Sequence, residues 1–187
     1  MNPASVKSGI RQLQRYNKAL GGGFNLVLEL YQGGYMDKKQ FKEFCKKEFK
    51  SHGFRKQRKV FYLSGHDLLC GIDLQKSNYG EIYYVNYYYF LGDFSNITEY
   101  PTHYESDIQG RIIVMSKTQT FQGKHFETAQ VEYEEYTEEE LKPFFDMEFK
   151  SKILPPIEQG KKYILDNLGK LYFLTLNQEE VLRKLKM

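Results

Sequence analysis

Phe41, Phe44, Cys45 and Phe49 recur at helical spacing with lysines between them, so the chain from Asp37 predicts an amphipathic helix that buries an aromatic stripe and keeps its cations in water. Gly53 supplies its stop. Beyond it the period changes to two. Val60 to Leu63 reads as a strand and Ser64-Gly65-His66 as a turn. Leu68, Cys70, Ile72 and Leu74 then alternate with Leu69, Gly71, Asp73 and Gln75, which predicts a strand with one buried face. Lys76 to Gly80 is a turn, and Glu81 to Phe90 a third strand rich in sheet-forming residues. On it Tyr83, Val85, Tyr87 and Tyr89 point one way, and Ile82, Tyr84, Asn86, Tyr88 and Phe90 the other. Three sequential strands with short links predict an antiparallel meander. If helices cover one face, the other is left as a tyrosine-paved surface or groove.

The pattern continues less regularly towards the C-terminus. After an irregular stretch from Gly92 to Gln109, strands are expected over 111–116 and 126–133. Thr137 with Glu140 forms a capping box for a helix that runs towards Ser151 and stops before Pro155-Pro156. Lys161 to Leu168 reads as a short helix, and Asn177 with Glu180 caps a terminal one carrying Val181, Leu182 and Leu185. The expected fold is α+β, an antiparallel meander of about four to five strands with helices packed mainly on one face.

The leading segment stands apart. Asn2-Pro3 suits a helix start, Ile10, Leu13, Tyr16 and Leu20 follow at helical spacing until Gly21-Gly22-Gly23, and Phe24 to Leu30 alternate as a strand. Two readings fit Gly33-Gly34 just before Met36: a loop between strand and helix, or translated ribosome-binding sequence ahead of a native start at Met36. The expected organisation is an N-terminal extension over 1–35 and a single domain over 36–187, a length within the usual size of one compact domain.

Aromatic residues make up 16% of the chain, with 16 Tyr and no Trp, so much of the buried surface comes from rings whose hydroxyls need partners. The net charge of +3 is small, but its distribution is uneven. Between Met36 and Lys59 lysines and arginines face only Asp37, Glu43 and Glu48, whereas between Glu127 and Glu148 a run of acids faces only Lys142. Such patches either pair with each other or face different partners. Cys45 and Cys70 have no ligand spacing and read as buried, inert thiols. No apolar run is long enough to cross a bilayer, and the N-terminus lacks a signal-peptide core, which points to a cytosolic protein without membrane contact.

Candidate chemistry is sparse. His103, Glu105 and Asp107 alternate and would share one face if extended, and His125 with Glu127 and His66 with Asp67 form further pairs, but scattered histidines and many acids generate such pairs by chance. No metal site and no cofactor is expected. No nucleotide-binding or nucleophile-elbow motif accompanies a strand, so no catalytic residue is assigned. Cations next to aromatic strands suit single-stranded nucleic acid, with lysine and arginine on phosphates and rings on bases.

His52-Gly53-Phe54-Arg55-Lys56, then Arg58 and Phe61-Tyr62, then Leu74-Gln75-Lys76-Ser77 with Tyr79-Gly80, resemble the bacterial domain of unknown function 4304. The likeness spans Met36 to the C-terminus, with its motifs in the first half of that span. It implies a small cytosolic protein of mixed helices and antiparallel strands, and it brings no catalytic residues. Within those motifs Arg55, Lys56, Arg58, Gln75, Lys76 and Tyr79 stand where two elements end on one edge, and they form the expected binding rim. The expected function is a non-catalytic binding protein that engages a protein partner in the manner of inhibitor or immunity proteins; the alternative is a nucleic-acid-binding module that uses the basic, tyrosine-rich edge.

Overall fold

The computed structural model describes residues 35–187 apart from 95, 169–173, 176 and 177. The expected leading helix and strand, the Gly33-Gly34 step and the Asn177 cap lie outside the described residues. Met36 is buried, and its amide donates to the Tyr136 carbonyl at 3.0 Å.

Helix α1 (Lys38–Ser51) opens on a reciprocal capping box: the Asp37 carboxylate accepts from the Lys39 and Gln40 amides, and the Gln40 side chain accepts from the Asp37 amide. Gly53, at φ 87°, turns the chain out of it. A meander follows, β1 (Arg55–Gln57), β2 (Val60–Ser64), β3 (Leu68–Lys76) and β4 (Tyr83–Leu91), and β5 (Ile108–Arg111) adds beside β4. All neighbours are antiparallel. Strand β1 has no apolar residue and no period to read; its three exposed residues form a charged edge that discourages pairing with another chain.

Two expectations are corrected here. The strand expected over 111–116 divides. Ile112 still donates to the Val85 carbonyl, but Val131 takes the place opposite Tyr83, with amide–carbonyl bonds of 3.0 and 2.8 Å. The chain therefore leaves the sheet, and β6 (Val114–Phe121) pairs with β7 (Lys124–Thr128) as a separate hairpin turning at Gln122-Gly123, both left-handed. The helix expected to stop before Pro155-Pro156 does not. Helix α2 (Glu138–Glu148) begins at the predicted Thr137–Glu140 box, passes through one wide π turn over Phe149–Ile153 and continues as α3 (Leu154–Gln159). Both prolines fall in the first turn of α3, where a missing N–H costs little, and the Tyr89 hydroxyl donates to the Lys152 and Ile153 carbonyls of the π turn. Then come α4 (Lys161–Asp166), β8 (Leu174–Thr175), which pairs with β5, and α5 (Gln178–Lys186).

The helices pack on one face of the sheet. Phe41, Phe44 and Phe49 of α1 and Leu141 and Phe145 of α2 meet Cys70, Ile72, Val85, Tyr87 and Tyr89 in one buried cluster. The opposite face is not bare. Tyr62, Leu69, Tyr88 and Phe90 form a second cluster, roofed by Phe94, Ile97 and Tyr100 from the irregular segment after β4. Tyr62 lies across Gly71, where a Cβ would stand 3.1 Å from its ring, and its hydroxyl donates to the Pro101 carbonyl. Among the described residues, the end of the tyrosine face nearest Asp73 and Gln75 opens into a cavity. The two charge patches meet through their minority charges: Lys142, the lone cation of the acidic run, pairs with Glu48 of the basic helix.

Candidate functional site

Strand register builds a polar row on the open end of that face. Asp73 of β3 stands opposite Asn86 of β4, and Asn86 opposite Arg111 of β5. The Asn86 amide nitrogen donates to Asp73 Oδ1 at 3.1 Å and to Gln75 Oε1 at 3.2 Å, and its oxygen accepts from Arg111 Nε at 3.0 Å. Tyr88, two positions along on the same face, donates its hydroxyl to the same Asp73 oxygen at 3.1 Å. Burial, then the Asp73 charge, push the Tyr88 hydroxyl well above the usual phenol range, so it stays a donor. The Arg111 guanidinium also lies over the Tyr84 ring, 4.4 Å from its centre. It is held by its Nε and by its face.

A cavity of about 740 Å³ opens above this row. Its lining includes Asp73, Gln75, Tyr88 and Arg111 of the sheet, His103 and Tyr104 of the roofing segment, and Glu127, Thr128 and Lys152. The His103 and Tyr104 ring centres are 3.9 Å apart and that of His103 sits 5.7 Å from that of Tyr88, so the wall presents tilted, closely packed rings beside hydrogen-bonding groups. A second hollow of about 410 Å³ adjoins at His103, lined by Arg58, Lys59, Tyr62 and Tyr100.

The residues of the expected rim divide between these places. Gln75 enters the main cavity and Arg58 the second hollow. Arg58 occupies the β1–β2 turn at φ 56°, a conformation that a two-residue hairpin requires and an arginine rarely adopts. Arg55 and Lys56 lie on the exposed edge strand, with Lys56 over the Phe61 ring. Lys76 pairs with Glu81 at 3.1 Å, and Tyr79 projects from its turn, 88% exposed. Asp73, Asn86 and Arg111 were not singled out by the sequence. Their signal is faint: Asp73 and Asn86 interrupt strands that are otherwise apolar and aromatic, and only the register reveals that Arg111 completes the row.

The acid–histidine pairs do not assemble. Glu105 caps its own turn, accepting from the Thr102 amide at 2.7 Å, and this bond holds its carboxyl below the usual range. Asp107 accepts from the Leu91 amide and pairs with Lys184 of α5 at 2.6 Å. His103 turns to the tyrosines instead. Asp67 accepts from the Lys161 amide at 2.8 Å at the start of α4. Cys45 and Cys70 are buried, and burial pushes both thiols up, as expected of inert residues.

Beside Lys152 lies a buried acid. Glu148 is buried, accepts from Lys152 Nζ at 2.6 Å through one oxygen, and has no partner at Oε2 among the described residues. Burial raises its carboxyl above the ordinary value, and Lys152 only partly offsets this. The folded state thus holds this proton more tightly than the unfolded chain does. Its contribution to stability is fully present below the unfolded value of about 4.3 and is lost as pH rises through the raised folded value. Glu148→Gln is expected to flatten that fall, so thermal unfolding from acidic to neutral pH should show the variant gaining on the parent as pH rises; parallel curves would refute the assignment.

A family model described as domain of unknown function (DUF4304) matches residues 45–155, more than half of the chain. The chain belongs to this family. The matched span runs from Cys45 in α1 to Pro155 in α3, so every residue of the DUF4304 polar row, and the rest of the main cavity, lies within it. No curated protein and no solved structure matches the chain. Among the described residues no helix is long and apolar enough to cross a membrane.

Proposed function

We propose that this DUF4304 protein is a non-catalytic cytosolic binding protein that holds an acidic group of a partner protein in the main cavity, in the manner of bacterial inhibitor or immunity proteins. The observation that carries this reading is Arg111. Its guanidinium is oriented from two sides, by Asn86 and by Tyr84, and lines a preformed cavity. An arginine fixed in this way loses little freedom when it takes a carboxylate through two parallel bonds. The row behind it is already hydrogen-bonded, which favours recognition over proton transfer.

The nucleic-acid reading has one observation in its favour, Arg58 and Lys59 beside Tyr62 and Tyr100 in the second hollow. Against it, the lysines of α1 lie on the outer side of a helix that covers the other face, so most of the cations and the accessible rings are apart. Two measurements separate the readings. Retention of a protein partner on immobilised wild type should fall when Arg111→Ala is immobilised instead, by the roughly 2–4 kcal/mol typical of an anchoring arginine. Fluorescence polarisation with single-stranded oligonucleotides at low salt should stay flat. Equal retention by the variant, or salt-dependent oligonucleotide binding that Arg58→Ala weakens, would transfer the assignment to the second reading.

A further inference from the structure

We propose that Glu48, His52 and Asp146 form a binding site for a divalent transition-metal ion of the zinc type, held in competition with Lys142. Glu48 lies in the last turn of α1 and His52 one residue past its end, four positions on, so both side chains project from the same side of the helix. Asp146 reaches them from α2, which packs against α1. One ligand atom from each of the three lies within 4.8 Å of the others. Ligand atoms about 2.1 Å from one tetrahedral ion stand about 3.4 Å apart, so a modest rotation of the half-exposed Asp146 closes the set. An imidazole with two carboxylates suits zinc and its neighbours better than calcium or magnesium, and it leaves a fourth position for water.

The place already attracts a cation. Lys142 Nζ stands 3.2 Å from Glu48 and 2.8 Å from Asp146. The Glu48 side chain is only 5% exposed, so its charge needs a positive partner there. Lys142 is half exposed and leaves to water without disturbing the core, while a divalent ion neutralises both carboxylates. The His52 ring is fixed for this role by stacking on Phe149, with centroids 4.1 Å apart and planes 20° from parallel. The site is remote in chemistry from the cavity: none of its three ligands lines it.

Titration of the full chain with Zn²⁺ against a chromophoric chelator tests this. Wild type should bind one equivalent with micromolar or tighter affinity. His52→Ala and Asp146→Ala should each weaken it by about tenfold or more, and Lys142→Met, which removes the competing cation, should strengthen it by about tenfold. Asp146 is exposed enough that its variant keeps the fold, which circular dichroism verifies. Failure to saturate, or stoichiometric binding that both ligand variants leave unchanged, overturns the site. Unchanged or weaker binding by Lys142→Met overturns the competition.

Discussion

Gly110→Ala is expected to destabilise the fold by about 3 kcal/mol, lowering the melting temperature by about 6–12 °C for a chain of this size. The reason is a close approach that no other residue allows. Tyr87 and Gly110 stand opposite each other on β4 and β5, and the Tyr87 ring fills the space where a side chain at 110 would go. A Cβ built there stands 2.1 Å from the ring carbon Cζ, 2.3 Å from the hydroxyl and 2.4 Å from Cε2. Tyr87 is 1% exposed, so the ring yields to a methyl group only by shifting against packed neighbours or towards the cavity that it and Gly110 help to line. Tyr87→Phe should not rescue the variant, because the clashing ring carbons remain; Tyr87→Leu should rescue part of the loss. Wild-type stability in Gly110→Ala, measured by urea unfolding, would show that the two strands are not in this register.

Phe149→Ala should cost about 3–5 kcal/mol. Phe149 is wholly buried where α2 gives way to the π turn, and it joins the elements on either side of Gly53. Its ring stacks on His52 and sits 6.4 Å from Phe49 and 6.1 Å from Phe54, so it touches the end of α1 and the approach to β1 together. Truncation leaves a cavity whose walls belong to separate elements and cannot close without moving the helix pair. Phe121→Ala, at a ring 69% exposed on the β6–β7 hairpin, should change stability by less than about 0.5 kcal/mol. Similar urea midpoints for the two variants would mean that Phe149 does not join these elements.

These two residues also mark the limits of what the chain discloses. The alternation of Leu68, Cys70, Ile72 and Leu74 is carried by adjacent residues, so β3 and its buried face were legible, as were α1 with its aromatic stripe and the Thr137 box. Strand β1 was not, because three solvent-facing polar residues carry no period. The division near Arg111 depended on Val131 competing for the place beside Tyr83, a contact between residues 48 positions apart. The prolines misled because Pro155-Pro156 signals a stop, while the π turn before them lets them begin a new helix. At the candidate site, Gln75 and Arg58 were visible from the motifs they belong to. Asp73, Asn86 and Arg111 each looked ordinary on its own strand.

What the sequence determined by itself was local and periodic: which residues form α1, β2, β3 and β4, which face α1 and β3 bury, and that both cysteines are core. Hydrophobic burial enforces such patterns over a few residues at a time, whatever the rest of the chain does. Tertiary structure alone decided the strand register, the covering of half the tyrosine face by Phe94, Ile97 and Tyr100, and the meeting of Glu48, His52 and Asp146. Each of these depends on which distant segments compete successfully for the same space and hydrogen bonds, and that competition is settled only when the whole core packs.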